Sequence, residues 1–371
     1  MRDTDFLRER LDELRRAGQF RSLPTPRAGV DFWSNDYLGF SRRLRIAPSN
    51  ESHAPGSRLI SGNAPGTEDL ESRIAAFHGY PAALLFGSGY LANLGLLSCL
   101  ARRTDTIVYD EYIHASLRDG IRLSGATARR CQHNRIDSFA RTLTAARSDG
   151  QLFVVTESRF SMDGDTAPLR ALVDLCREFG ARLIVDEAHA TGLEGSNGAG
   201  MVAKLGLQAE VFASVATYGK APGYHGAAVL GSNGLRDYLI NFSRPFIYTT
   251  APPPAQIAGL NAVYDLLRDE QQTAYGALKR TIAYFKRKSA SSLPHVAESC
   301  DGPIQVIPLP GNDAVMKAES CLAEAGYLVK GIRSPTVATG SERLRLCLHA
   351  FNTEAEIDGL LDTLAGLNLS R

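Results

Sequence analysis

Neither sign of charge is in excess: 41 lysines and arginines stand against 40 acidic residues, a formal net charge of +1. So balanced a chain carries no electrostatic footprint for nucleic acid or for an anionic membrane. It has no run of about 18 apolar residues, the length a bilayer-spanning helix requires. The stretch from Arg2 to Arg16 is charged and lacks the apolar core of a signal peptide. The six cysteines, Cys99, Cys131, Cys176, Cys300, Cys321 and Cys347, are scattered, with no CxxC pair and no histidine–cysteine cluster at metal-ligand spacing. They read as buried thiols of a reducing compartment, so a cytoplasmic protein without a metal is expected. Internal repeats and low-complexity segments are also missing.

What is present is core material: 371 residues, 44% of them hydrophobic, enough for two or three domains. Phe6, Leu7, Leu11 and Leu14 recur at helical spacing, which predicts an amphipathic helix over residues 2–17 lying against another surface. A loop with Pro24 and Pro26 follows, then a short strand from Val30 that ends in the polar cluster Ser34 to Gly39. Residues 56–67 hold too much glycine and proline for a regular element, and Thr67 reads as the cap of a helix to Phe77. From there the apolar runs 82–86, 106–109, 152–156, 182–185, 211–216 and 227–230 alternate with helix-length segments such as 115–123 and 169–179. That rhythm predicts an α/β fold with a mostly parallel sheet covered on both faces. Past Pro252-Pro253-Pro254 a long helix over about 255–288 leads into shorter elements, a smaller α+β domain. The expected division is an arm over 1–45, a large domain over 46–254 and a C-terminal part over 255–371.

Ligands of parallel sheets gather at the carboxyl ends of the strands, and polar residues crowd those ends. His114 follows the strand at 106, Glu157 and Ser161 the strand at 152, Asp186 and His189 the strand at 182, and Thr217 and Lys220 the strand at 211. Lys220 stands in a glycine-rich turn between two apolar strands, where a partly desolvated amine can lose its proton and attack a carbonyl. Asp186 ends an apolar strand, where a carboxylate can pair with a pyridinium nitrogen. A lysine for a Schiff base and such a carboxylate are what a pyridoxal phosphate (PLP) site requires. Gly87-Ser88-Gly89 turns a strand into an apolar helix, and free N–H groups at a helix start can hold a phosphate.

In Ser34 to Gly39, Phe86 to Asn93, His114 to Leu117, Thr156 to Asp165, Val185 to Gly192, Thr217 to Lys220 and Arg343 to Arg345, the chain resembles the α-oxoamine synthase family of PLP enzymes over nearly its whole length. The resemblance implies the PLP-dependent transferase fold type I, with a sheet of the seven-stranded type. It assigns Lys220 to the Schiff base, Asp186 to the pyridine nitrogen, His189 to the ring hydroxyl and His114 to stacking on the ring face. Gly89, Tyr90 and Thr217 match phosphate-holding positions, and Ser161 a cofactor-contacting one. Thr250 reaches the phosphate of a partner subunit, because active sites in this family lie at a homodimer interface. Arg345 grips the amino-acid carboxylate, Asn35 lies on the substrate side, and Arg21, Arg333 and Thr336 lie toward the acyl substrate.

The implied reaction is a decarboxylative condensation of an amino acid with an acyl thioester. His225 to Gly231, Phe246 to Thr250 and Ser334 to Thr336 resemble the branch that joins L-alanine to pimeloyl-CoA or a pimeloyl-acyl carrier protein in biotin biosynthesis. Glycine-using acyltransferases of the same family and a PLP-binding protein without turnover are the alternatives. The chain departs from the family pattern at Pro222, close after the lysine, at Arg159, a charge inside the Glu157 to Ser161 segment, and in the Asn63 to Thr67 loop.

Overall fold

The structure, a computed structural model, describes residues 5–23, 28–46, 54–146, 150–292 and 300–367. The first residues of the predicted N-terminal helix, Pro24 and Pro26 lie outside these ranges. The chain forms two compact units. One comprises residues 38–161 and 165–275, and the other comprises the residues up to Tyr37, the short stretch Met162–Gly164 and Gly276–Arg371. The sequence reading divides the chain at 45/46 and 254/255, whereas the compact units divide it at 37/38 and 275/276.

The first strand of the chain, β1 (Val30–Asp31), belongs to the smaller unit. The larger unit is built on β2 (Ala82–Phe86), β3 (Thr106–Asp110), β4 (Thr127–Cys131), β5 (Leu152–Glu157), β6 (Arg182–Asp186), β7 (Val211–Thr217) and β8 (Ala227–Gly231). They form one sheet in the order β2-β8-β7-β6-β5-β3-β4. β8 runs antiparallel to both of its neighbours and the remaining pairs are parallel. Central strands such as Leu152–Glu157 and Ala227–Gly231 are almost wholly buried, which explains why they read as unbroken apolar runs rather than alternating ones.

Helices at Pro65–His78, Gly89–Leu100, Ala115–Ser124, Ile136–Ala145 and Leu169–Phe179 make the connections. The first begins at Pro65 rather than Thr67, with Ala64 in the cap position and proline in the first turn, where its missing N–H costs nothing. Two elements go unpredicted: β4 and the helix at Ile136–Ala145. β4 is an edge strand whose first four residues are exposed, so burial imposes no apolar pattern on it.

In the smaller unit, β9 (Ile304–Pro308), β11 (Lys330–Ile332) and β12 (Arg343–Cys347) form an antiparallel sheet in the order β11-β12-β9. β10 (Tyr327–Leu328) pairs in parallel with β1. Helices Asn312–Glu324 and Glu354–Gly366 pack with these strands, the latter starting in a reciprocal capping box between Thr353 and Glu356. The N-terminal helix spans Asp5–Arg16, and its four apolar residues Phe6, Leu7, Leu11 and Leu14 are exposed. The predicted long helix runs from Pro254 to Ser292.

Candidate active site

Strands β3, β5, β6 and β7 are parallel neighbours, so their carboxyl ends lie along one sheet edge. Asp186 ends β6 beside Glu157 of β5 and is buried. Its Oδ2 accepts from Asn93 Nδ2 at 2.6 Å and its Oδ1 from the Ala188 N–H at 2.8 Å. Asn93 also donates to Ser116 Oγ at 3.0 Å. The carboxylate is therefore oriented before any ligand arrives. His189 follows in the same turn and is buried. Glu187, the residue between them in the alternation, turns to structure instead: its Oε1 accepts from the N–H groups of Met201 and Val202 at 2.7 and 3.0 Å, and burial lifts its pKa to about 7.

His114 follows β3 and caps the helix Ala115–Ser124, with Nδ1 2.8 Å from Ser116 Oγ. Desolvation pulls its pKa below the ordinary histidine value, against the pull of Asp186 and with the help of the Lys220 charge. A neutral imidazole is thus favoured at neutral pH. The His114 backbone N–H donates to Glu157 Oε1 at 2.6 Å. Glu157 is buried, and desolvation, reinforced by Asp186, raises its pKa well above the carboxylate range.

Lys220 stands in the loop that joins β7 to its antiparallel neighbour β8. The loop is closed by Tyr218 N–H to Gly226 O at 3.0 Å, Tyr224 N–H to Tyr218 O at 2.7 Å and Gly223 N–H to Lys220 O at 2.8 Å. Gly223 has φ +70°, and a Cβ there would lie 2.3 Å from the Ser41 backbone nitrogen, so only glycine fits. Beneath the loop runs a buried chain of rings. Tyr218 Oη is 3.1 Å from Tyr264 Oη, which is 2.9 Å from His78 Nε2, while His78 Nδ1 is 2.8 Å from Ala199 O. Burial lowers His78 to about 4. The neutral ring donates from Nδ1 to the carbonyl, Nε2 accepts from Tyr264, and Tyr264 accepts from Tyr218.

A phosphate cradle adjoins the end of β7. Ser88 caps the helix Gly89–Leu100, accepting from the Leu91 N–H at 3.3 Å. A Cβ at Gly89 would stand 2.6 Å from Thr217 Cγ2. The buried Thr217 Oγ1 has no hydrogen-bond partner among the described residues. An unsatisfied hydroxyl beside open helix N–H groups is what a phosphate would satisfy, so these residues fit PLP. Tyr90, also predicted to hold the phosphate, is partly exposed and donates its hydroxyl to Asp119.

Ser161 lies on a hairpin closed by the Arg159–Thr166 bridge and by Phe160 N–H to Asp165 O at 2.9 Å. Thr250 is exposed and lines a cavity of about 200 Å³ with Arg58, Phe86, Gly87 and Phe246. The departures at Arg159 and Pro222 have local explanations. Arg159 forms a buried ion pair with Glu194 at 2.7 Å, and Pro222 packs where Gly192 leaves room.

The smaller unit collects the residues assigned to substrate. Arg345 is buried, donating to Asn35 Oδ1 at 3.0 Å, Tyr37 Oη at 3.4 Å and Cys347 Sγ at 3.1 Å. Arg21, Arg333 and Thr336 line one cavity of about 800 Å³, whose walls include Phe20, Trp33, Met316 and Ile332. Arg21 donates to Thr336 Oγ1 at 3.3 Å, and Arg333 to Gly18 O at 2.9 Å. Sequence reasoning left Asn93, Tyr37 and Glu157 out of the site. The signal for Asn93 was a single amide inside an apolar helix.

An α/β unit with a lysine loop, a strand-end aspartate and a helix-borne phosphate cradle defines a class of protein, and comparison agrees. The chain belongs to the aminotransferase class I and II family, whose profile matches residues 27–364. It is 41% identical to the 8-amino-7-oxononanoate synthase of Emericella nidulans, over 97% of this chain and 94% of that one. It is also 41% identical to the enzyme of that name from Methylococcus capsulatus, over 91% and 88%. Among solved structures, the 8-amino-7-oxononanoate synthase of Francisella tularensis superposes with a TM-score of 0.76 at 30% identity, covering 91% of this chain and 97% of that one. A serine palmitoyltransferase from S. paucimobilis, solved with PLP bound, gives 0.86 at 24% identity over 99% and 98%, a likeness of fold.

Proposed function

We propose that this protein is a PLP-dependent acyltransferase that condenses L-alanine with a pimeloyl thioester, releasing carbon dioxide and forming 8-amino-7-oxononanoate for biotin synthesis. The observation that carries the reading is the identity of 41% over 97% of the chain with a synthase of that name. The orphaned Thr217 hydroxyl beside the Gly89 helix start supports the cofactor assignment independently.

Bound PLP supplies an electron sink that stabilises negative charge at the amino-acid Cα. Lys220 would hold the cofactor covalently, and its amine would then remove the Cα proton. Asp186, kept in place by Asn93 and the Ala188 N–H, would hold the ring nitrogen protonated. His189 would bond the ring hydroxyl, His114 would cover the ring face as a neutral imidazole, and Ser161 would contact the cofactor. Gly89, Tyr90 and Thr217 would hold the phosphate. Arg345, already braced by Asn35 and Tyr37, would bind the alanine carboxylate through its fork. The cavity of Arg21, Arg333 and Thr336 would take the acyl thioester, its apolar walls suiting a methylene chain.

The protein would act in the cytoplasm as a homodimer, with Thr250 reaching the partner's phosphate. The exposed apolar face of helix Asp5–Arg16 supports association, and no described helix is long and apolar enough to cross a membrane. The test is absorption spectroscopy of the PLP-loaded protein with L-alanine, glycine and L-serine, alongside α-proton exchange and product analysis with pimeloyl thioesters. Exchange and product with L-alanine are expected. A preference for glycine would move the protein to the glycine-using acyltransferases, and binding without exchange would mark a protein that has lost turnover.

A further inference from the structure

Outside the site already described lies a compact charged cluster around His133, just past β4. Its Nδ1 is 2.9 Å from Asp110 Oδ1 and its Nε2 is 2.8 Å from Asp165 Oδ2. Ionised carboxylates only accept, so both ring nitrogens donate and the ring is an imidazolium. The ring stacks on Tyr112 at 4.5 Å and meets the edge of Phe160 at 4.5 Å. Backbone groups repeat the connection: His133 N–H donates to Glu111 Oε1 at 3.0 Å, and Asn134 N–H to Asp110 Oδ2 at 2.8 Å. The Asn134 amide donates to Asp165 Oδ2 at 2.7 Å.

The two aspartates belong to different parts of the sheet edge. Asp110 ends β3 and shapes the turn to His114, its Oδ1 accepting from Tyr112 N–H at 2.8 Å and its carbonyl from Ile113 N–H at 3.2 Å. Asp165 closes the hairpin that bears Ser161, through its carbonyl bond to Phe160 N–H. We propose that His133 is a positioning residue, a fixed imidazolium that ties the turn carrying His114 to the hairpin carrying Ser161 and so sets both for the cofactor. The proposal rests on the reading of those two residues as cofactor contacts. Burial opposes the charge, but the two aspartates outweigh it and lift the ring to about 10. A neutral ring could bridge only one carboxylate. The same contacts in a surface cluster would serve stability alone; here they join two segments that each deliver a residue to one edge.

The test uses the full-length protein with and without PLP. Nitrogen-15 NMR of the histidine rings at about pH 8, well above the ordinary histidine pKa, is expected to show His133 protonated on both nitrogens in both states. His133→Gln and Asp165→Asn should each weaken PLP binding about tenfold or more, the scale of a lost charged hydrogen bond. The KM for the acyl thioester should not move. Asp165→Asn carries the test if the histidine variant does not fold. A His133 ring neutral at that pH overturns the proposal. So does parental PLP affinity in a folded variant. A parent protein that binds no PLP overturns the functional reading and the positioning role with it, whereas parental affinity in the variants overturns the positioning role alone.

Discussion

Glu157 shows how burial decides what a residue at the sheet edge can do. Its folded pKa lies above its unfolded one, so the folded protein retains a proton that the unfolded chain releases once pH exceeds the ordinary glutamate value. The carboxyl therefore costs stability progressively as pH rises from about 4.5 toward its folded pKa. Glu157→Gln, a neutral isostere that can still accept from the His114 N–H, should gain stability relative to the parent as pH rises from about 5 to about 8. Thermal melts of the cofactor-free proteins across that range check this; a gap that does not change with pH would mean that the carboxyl is ionised in the fold. Lys220, Asp186, His189 and His114 were legible because each follows an apolar strand in sequence. Asn93 was not, because its link to Asp186 crosses from one helix to a distant strand.

At the scale of elements, the lysine loop depends on what lies beneath it. Tyr264→Phe would leave His78 Nε2 without its donor and the Tyr218 hydroxyl without its acceptor, both inside the core. A loss of about 1–3 kcal/mol is expected from unsatisfied buried groups, measured by urea unfolding. A change within about 0.5 kcal/mol, the range of ordinary surface substitutions, would mean that the ring chain is not continuous. The central strands were readable because both of their faces are buried, which forces apolar runs. β4 escaped because Thr127 to Arg130 are exposed on an edge, and the start of helix Pro65–His78 was read two residues late because Thr67 is an equally good cap by type. The exposed arm helix shows the limit of periodicity, which marks an apolar face without telling what covers it.

At the scale of the whole molecule, the smaller unit is assembled from both ends of the chain. β1 pairs with β10, Cys347 N–H donates to Phe32 O at 2.8 Å, and Arg345 leans on Asn35 across 310 residues of sequence. Such pairings cannot be read from local pattern, which treated the arm as a segment of its own. Removing the residues up to Tyr37 should therefore destabilise the C-terminal unit as well as shorten the chain. Calorimetry should show a lower or split transition, and the KM for L-alanine should rise as Arg345 loses its braces. A single transition at the parental temperature would contradict that assembly.

The position of β8 bears on time as well as space. Because β8 returns antiparallel between β7 and β2, the loop bearing Lys220 is rooted in two interior strands, with the Tyr218 and Gly226 backbones bonded at its base. Amide protons at such a base exchange with solvent only through openings of the sheet's centre, which are among the rarest a folded chain makes. The lysine thus keeps its address for as long as the molecule stays folded, while the exposed edge at β4 can fray many times without disturbing it.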